Sequence, residues 1–332
     1  MKKILNDPFD YAVETLRGLT RAYPQYYRLV EGQSRVVARA GGAVAGKVGI
    51  VTGGGSGHLP VFTGYVGPGL LDACACGDVF ASPTADEMAE AIRAANGGAG
   101  VLRLYGNYGG DVMNFDMAGD LVEFDDIKTS TVLLRDDVAS APLAERDKRR
   151  GVAGMVLAFK IAGAAADAGL DLDGVTAVAQ RAADAVRSMG VALSPCTVPQ
   201  AGKPTFEIGE DEMEIGMGIH GEPGVRRGKL LPANDIADQL LDPIVADAGL
   251  KRGDRISVLV NSLGATPVEE LFILFDRIAG RCDDLGITIA HTLVGRYATS
   301  MEMSGASLTI LPLDDEFERY LNAPAACAFW KV

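Results

Sequence analysis

The sequence predicts an α/β protein of two domains, each a mixed or mostly parallel sheet flanked by helices. Three observations predict it. The 332 residues suit two cores of about 150 residues each, and the sequence changes character near Gly190, which divides the chain into 1–185 and 186–332. Short β-type runs alternate with helix-length stretches. Glycine-rich segments follow two of those runs directly, where an open parallel sheet presents its ligand loops.

Taken in order, residues 8–30 read as a helix, with Pro8 near its start and Val13, Leu16 and Leu19 at helical spacing. Val48-Gly49-Ile50-Val51-Thr52 reads as a buried strand running into a loop, Gly53-Gly54-Gly55-Ser56-Gly57-His58. That loop continues past Gly64-Tyr65-Val66-Gly67 to Cys76-Gly77-Asp78-Val79-Phe80-Ala81-Ser82-Pro83, and a helix follows over 84–96. Residues 100–105 form a second strand, with a turn at Gly106-Asn107-Tyr108-Gly109-Gly110-Asp111, a helix from about Met113 and a strand at 131–134. The segment 151–168 is apolar almost all round, as in a helix buried on every side. A helix at 175–188 closes the first half. The second half offers strands at 256–261, 288–294 and 306–311 with helices at 267–279 and 314–321.

Composition excludes several functions. Apolar residues make up 48% and charged residues 23%, far from disorder, and the net charge of −13 does not suit a phosphate-backbone binder. Cys74, Cys76, Cys196, Cys282 and Cys327 form neither a CxxC pair nor a zinc spacing and read as reduced, buried thiols. No apolar run approaches the ~18 residues of a membrane span, and the N-terminus has no signal-peptide h-region. A cytoplasmic protein, bound to neither nucleic acid nor membrane, is expected.

Histidines carry the chemistry. Residues 53–58 lack the Lys-Ser/Thr of a Walker A loop and the GxGxxG spacing, so the glycines read as backbone amides approaching a small oxygen-rich ligand with His58 facing it. Asp111, on a second strand-end loop, pairs with His58 as acid and base if the loops converge. His291 lies inside an apolar strand and reads as a satisfied core histidine. His220 sits in Gly216-Met217-Gly218-Ile219-His220-Gly221-Glu222-Pro223-Gly224, where little bulk covers the ring, and a neutral imidazole nitrogen adds to carbonyls. Asp211, Glu212 and Glu214 nearby read as solvated. No metal site is expected.

With these motifs assembled, the chain resembles the K subunit of dihydroxyacetone kinases over essentially its whole length. The features that carry the resemblance are Lys2-Lys3-Ile4-Leu5-Asn6-Asp7-Pro8, the segments 53–58, 64–67 and 76–83, Gly151-Val152-Ala153-Gly154, and the segment 216–224. It implies that His220 forms a hemiaminal with the ketone carbon of a short-chain ketose. It further implies that His58 and Asp111 handle the hydroxyl protons and that Gly55 and Ser82 line the pocket. Such subunits are homodimers that bind no nucleotide. ATP or ADP with Mg²⁺ sits on a separate L-type partner, for which a chain ending at Val332 leaves no room. Family members commonly carry lysine where this chain has Gly106, so the substrate pocket at Gly106 is expected to be roomier and to suit erythrulose or another larger hydroxyketone, with Arg103 partly replacing the charge. A rival reading of another class is a ketose sensor that captures its ligand without catalysis.

Overall fold

The computed structural model describes residues 2–332. A short 3₁₀ turn, Pro8–Asp10, leads into α1 (Tyr11–Ala22). The helix expected to reach residue 30 stops here, because Pro24 disfavours helical geometry in the residue before it. Tyr27–Leu29 instead forms β1, antiparallel to β2 (Val36–Arg39).

Next comes β3 (Gly49–Ser56), which absorbs three glycines and the serine expected in a loop. The glycines are needed for packing: a Cβ on Gly54 would overlap the Phe62 ring, and one on Gly55 would lie 2.6 Å from the Ala81 amide and 2.7 Å from Phe80 Cα. β4 (Ala73–Val79) was not expected, since Ala-Cys-Ala-Cys-Gly lacks the branched residues that mark strands. α2 (Ala85–Ala95) begins in a capping box made by Thr84 and Glu87. Then follow β5 (Val101–Gly106), α3 (Gly109–Glu123) and β6 (Thr129–Leu134). The order β1-β2-β4-β3-β5-β6, with β4, β3, β5 and β6 parallel, puts β3 between neighbours on opposite sides. Its carboxyl end is the topological switch point, and His58 emerges there.

α4 (Gly154–Asp167) and α5 (Leu172–Ala185) lead to β7 (Arg187–Ser194), so Arg187 and Ser188, expected at the end of a helix, begin a strand. β8 (Glu212–Ile215), β9 (Arg226–Lys229), α6 (Ala233–Ala248), β10 (Arg255–Ser262), α7 (Val268–Leu285), β11 (Thr288–Gly295), β12 (Ser304–Leu313) and α8 (Asp315–Leu321) complete the chain. This sheet runs β11-β10-β12-β7-β8-β9 and is antiparallel except for β10 with β11. The fold is thus α/β with two six-stranded mixed sheets flanked by helices.

α4 holds the sheets together. Every residue from Gly154 to Ala166 is buried, and one core joins Ile50, Leu102 and Val132 of the first sheet through α4 to Leu259 and Leu311 of the second. Phe317, Tyr320 and Trp330 belong to the same core. The tail is tied back by Ala326 N–H donating to the Pro68 carbonyl (3.0 Å) and Ala328 N–H to the Tyr27 hydroxyl (3.0 Å). We propose 1–185 and 186–332 as the architectural units, with residues 315–330 docked on the first. The five cysteines are free and buried. Among the described residues no helix is long and apolar enough to cross a membrane.

A shared core predicts coupled unfolding. Phe317→Ala is expected to cost about 3–5 kcal/mol in urea denaturation while leaving a single transition; two separated transitions would contradict the coupling.

Candidate functional site

Three segments meet at the end of β3. The first carries His58. Its Nδ1 lies 2.7 Å from the Thr299 carbonyl, which can only accept, so Nδ1 holds the proton and Nε2 presents a lone pair. Nε2 is buried and has no partner in the protein. Burial, then the proximity of His220, push the pKa of His58 down to about 3, so the ring is neutral near pH 7. Phe80 stacks on it at 4.8 Å between centroids, from a residue held in the left-handed region at φ 59. Such strain persists where surroundings over-determine it.

The second segment carries Asp111. It lies in the first turn of α3, since the helix starts at Gly109 and not near Met113. A helix N-terminus ordinarily stabilises a carboxylate. Burial wins here: Asp111 is 7% exposed, its Oδ1 has no partner, and its pKa rises to about 6, with the Ser82 hydroxyl and His220 pulling it partway back. Ser82 also packs against Gly110 and accepts from Asn114 Nδ2 (3.4 Å).

The third is the glycine-rich loop between β8 and β9. His220 Nδ1 lies 2.9 Å from Glu222 Oε1, and its backbone N–H donates to Glu222 Oε2 at 2.9 Å. Burial alone would raise the pKa of Glu222, but the hydrogen bond and charge of His220, with backbone donors, outweigh it and hold the carboxyl at about 2. The carboxylate therefore accepts from Nδ1–H, which leaves Nε2 as the ring nitrogen outside this hydrogen bond. Gly218 is required less to bare the imidazole than to admit its support, because a Cβ there would overlap Glu222 and Arg150. Arg150 donates to Asp137 Oδ2 (2.9 Å) and to the Gly216 carbonyl (3.1 Å) and stands 4.0 Å from Glu222. At the other end of the loop Gly224 N–H donates to Glu214 (2.7 Å), which is 5% exposed and also binds Arg227. The expectation of a solvated Glu214 is thus overturned: the loop needs an internal acceptor.

The segments converge. The ring centroid of His220 lies 4.8 Å from that of His58, 4.8 Å from Tyr108 and 5.3 Å from Phe80. His220, His58, Asp111 and Ser82 therefore gather at one place, while Gly55 acts by letting the turn at 80–81 close on β3. Gly106 does not open space, because the Tyr108 ring (3.2 Å) and the Gly151 carbonyl (3.3 Å) fill the position of its missing side chain. Arg103 does not replace the lysine charge: it turns to the far flank of α3, donating to the Phe115 carbonyl at 2.5 Å. His291 is half-buried on β11 and paired with Ser257 (2.8 Å), away from the site. Sequence reading missed Glu222, Arg150, Tyr108 and Phe80. Only Glu222, two residues from His220 and across a glycine, carried a signal. A cavity of about 650 Å³ borders the same Gly55-Ser56-Gly57 segment, but none of His58, Asp111 and His220 lines it. Among the described residues no group of three or more His, Cys, Asp or Glu is placed to hold a metal ion.

Fold and site define an α/β protein whose paired histidines and buried carboxyl, set where three loops meet, suit a small polar carbonyl ligand. The Dak1 domain family matches residues 17–329, and the chain belongs to this family, that of dihydroxyacetone kinase K subunits. It is 49% identical over 316 residues, 95% of each chain, to the dihydroxyacetone-binding subunit DhaK of PTS-dependent dihydroxyacetone kinase 1 from Listeria innocua serovar 6a. It is 44% identical to the D-erythrulose kinase of Mycolicibacterium smegmatis, covering 100% of this chain and 57% of that protein. Among solved structures it superimposes on the dihydroxyacetone kinase operon co-activator Dha-DhaQ with TM-score 0.89 and 33% identity, covering 96% of this chain and 97% of the other.

The burial of Asp111 is directly measurable. Carboxyl ¹³C NMR of the free protein is expected to give a midpoint of about 6; an ordinary value near 4 would contradict the desolvated site.

Proposed function

We propose that the chain is the ketose-binding subunit of a dihydroxyacetone-type kinase, capturing its substrate as a hemiaminal on His220. The observation that carries this reading is the Nδ1–Glu222 hydrogen bond, which fixes the lone pair on Nε2 beside unpartnered buried atoms of His58 and Asp111. Nε2 adds to the ketone carbon, the π electrons of the carbonyl move to oxygen, and that oxygen takes a proton as the ring loses the one on Nδ1. Glu222, held as a carboxylate, balances the charge that develops on the ring meanwhile.

Substrate hydroxyls then supply the missing hydrogen bonds of the site. His58 Nε2 accepts one and orients it. Asp111, with a pKa of about 6, is the better general base, because a base poised near working pH is most effective and His58 at about 3 is too weak. The activated oxygen attacks the terminal phosphorus of ATP, or of an ADP phosphorylated in place, that an L-type partner subunit would hold with Mg²⁺; the bond from that phosphorus to ADP breaks and ADP is left on the partner, while the K chain itself works as a homodimer in the cytoplasm. The reading makes the chain part of a phosphotransferase acting on an alcohol group. Glycerol, without a carbonyl, is excluded even where it fits.

Dihydroxyacetone is the first substrate to test, in keeping with the Listeria innocua relative. Erythrulose is the alternative, and the Mycolicibacterium smegmatis kinase favours it; the filled position beside Gly106 lends it no further support. A second reading, a ketose sensor without catalysis, draws on the likeness to an operon co-activator.

Native mass spectrometry tests the capture. Addition without loss of water predicts a mass gain of one whole ketose, absent with glycerol and absent in His220→Ala; an adduct surviving that substitution would sink the assignment. Asp111→Asn should keep the adduct yet lower phosphoryl transfer with a partner subunit by about 10²–10⁴-fold. In the unsubstituted protein the rate should fall as pH drops through about 6, where Asp111 takes up its proton. A rate that Asp111→Asn leaves unchanged would favour the sensor reading or another base.

A further inference from the structure

Helix α3 is apolar on two separate faces. Asp111, Phe115, Ala118 and Val122 turn inward and are buried. Met113, Met117, Leu121 and Phe124 are 60%, 52%, 38% and 90% exposed. At 3.6 residues per turn these four fall within an arc of about 80° centred about 135° around the helix from the buried face. A surface helix ordinarily turns polar residues to solvent there. Met and Phe are the apolar types enriched at interfaces, and Met adapts to irregular partners.

Charge says what covers the stripe. Asp116, Asp120, Glu123 and Asp126 flank it on one side, all exposed, and outnumber the cations beside them, Arg103 at 3.9 Å from Asp116 and Lys128. A second copy of a chain with net charge −13 would bring acid against acid, which disfavours a self-interface. A partner with an apolar ridge edged by Lys and Arg is complementary. Place matters too: the stripe starts within one turn of Asp111 and runs about 17 Å along the helix away from the site, so a protein seated on it stands beside the site's rim.

We infer that the exposed face of α3 is the docking surface for a basic-edged protein partner which, on the reading proposed above, is the nucleotide-carrying subunit. The stripe supplies the desolvated centre of the contact and the acidic flank supplies orientation and rapid encounter.

The test uses the full chain and a fluorophore-labelled nucleotide-binding subunit of a dihydroxyacetone kinase, titrated by anisotropy at low and high salt. Met113→Ser/Met117→Ser/Phe124→Ser and, separately, Asp116→Lys/Asp120→Lys replace only exposed side chains. Each is expected to weaken binding at least ten-fold and the charge variant to flatten the salt dependence, while the mass by light scattering and the ketose adduct stay unchanged. Unaltered binding by both variants overturns the inference. So does a drop in mass of the serine variant, which would make the stripe a self-interface, and so does failure of the unsubstituted chain to bind the subunit at all. Failure to take up any ketose, by contrast, counts against the proposed function and leaves the binding comparison intact.

Discussion

The hydrogen bond between His220 Nδ1 and Glu222 is the constraint on which the site depends. It settles which nitrogen of the imidazole is free, and every other device around it serves to hold that arrangement. Gly218 makes room for it, Arg150 ties the loop to the Asp137 carboxylate, and Glu214 secures the loop's far end. A carboxylate this depressed keeps the ring polarised without taking its proton outright. His58 is fixed the same way through the Thr299 carbonyl. The two histidines thus present defined lone pairs, one suited to form a bond and the other to accept one.

Burial does the rest. Taking Asp111 out of water raises its pKa against the pull of a helix N-terminus, and taking His58 out of water lowers its own. The same exclusion of solvent makes the Asp111 carboxylate more basic and keeps the His58 imidazole neutral near pH 7. It also leaves buried polar atoms without partners, a cost that a polyhydroxy ligand relieves on binding. The switch point at β3 explains why these groups meet, since the chain passes from β3 to β4 on one side and from the adjacent β5 to β6 on the other.

The sequence made part of this legible. Alternating runs foretold the α/β class, and the all-round apolar stretch at 151–168 foretold the buried α4 that joins the sheets. Glycine density pointed to His58 and His220. Other elements left no local mark. β4 is built of Ala, Cys and Gly, and small residues that pack in a sheet look like loop in isolation. Asp111 reads as a turn residue because two glycines precede it, yet they are the first turn of α3. Arg150 is distant in sequence from the loop it clamps, and only the closure of the two sheets on α4 brings it there. The space expected beside Gly106 failed for a related reason: Tyr108, two residues on, folds back into it.

The central claim is that a ketone carbon becomes tetrahedral on Nε2 of His220. Carbon NMR of dihydroxyacetone labelled at its ketone carbon, bound to the purified chain, tests it most directly. The account predicts that the carbonyl resonance is replaced by one in the tetrahedral range, coupled to nitrogen in histidine-¹⁵N-labelled protein and lost in His220→Ala. A bound ligand that keeps its carbonyl resonance would contradict it.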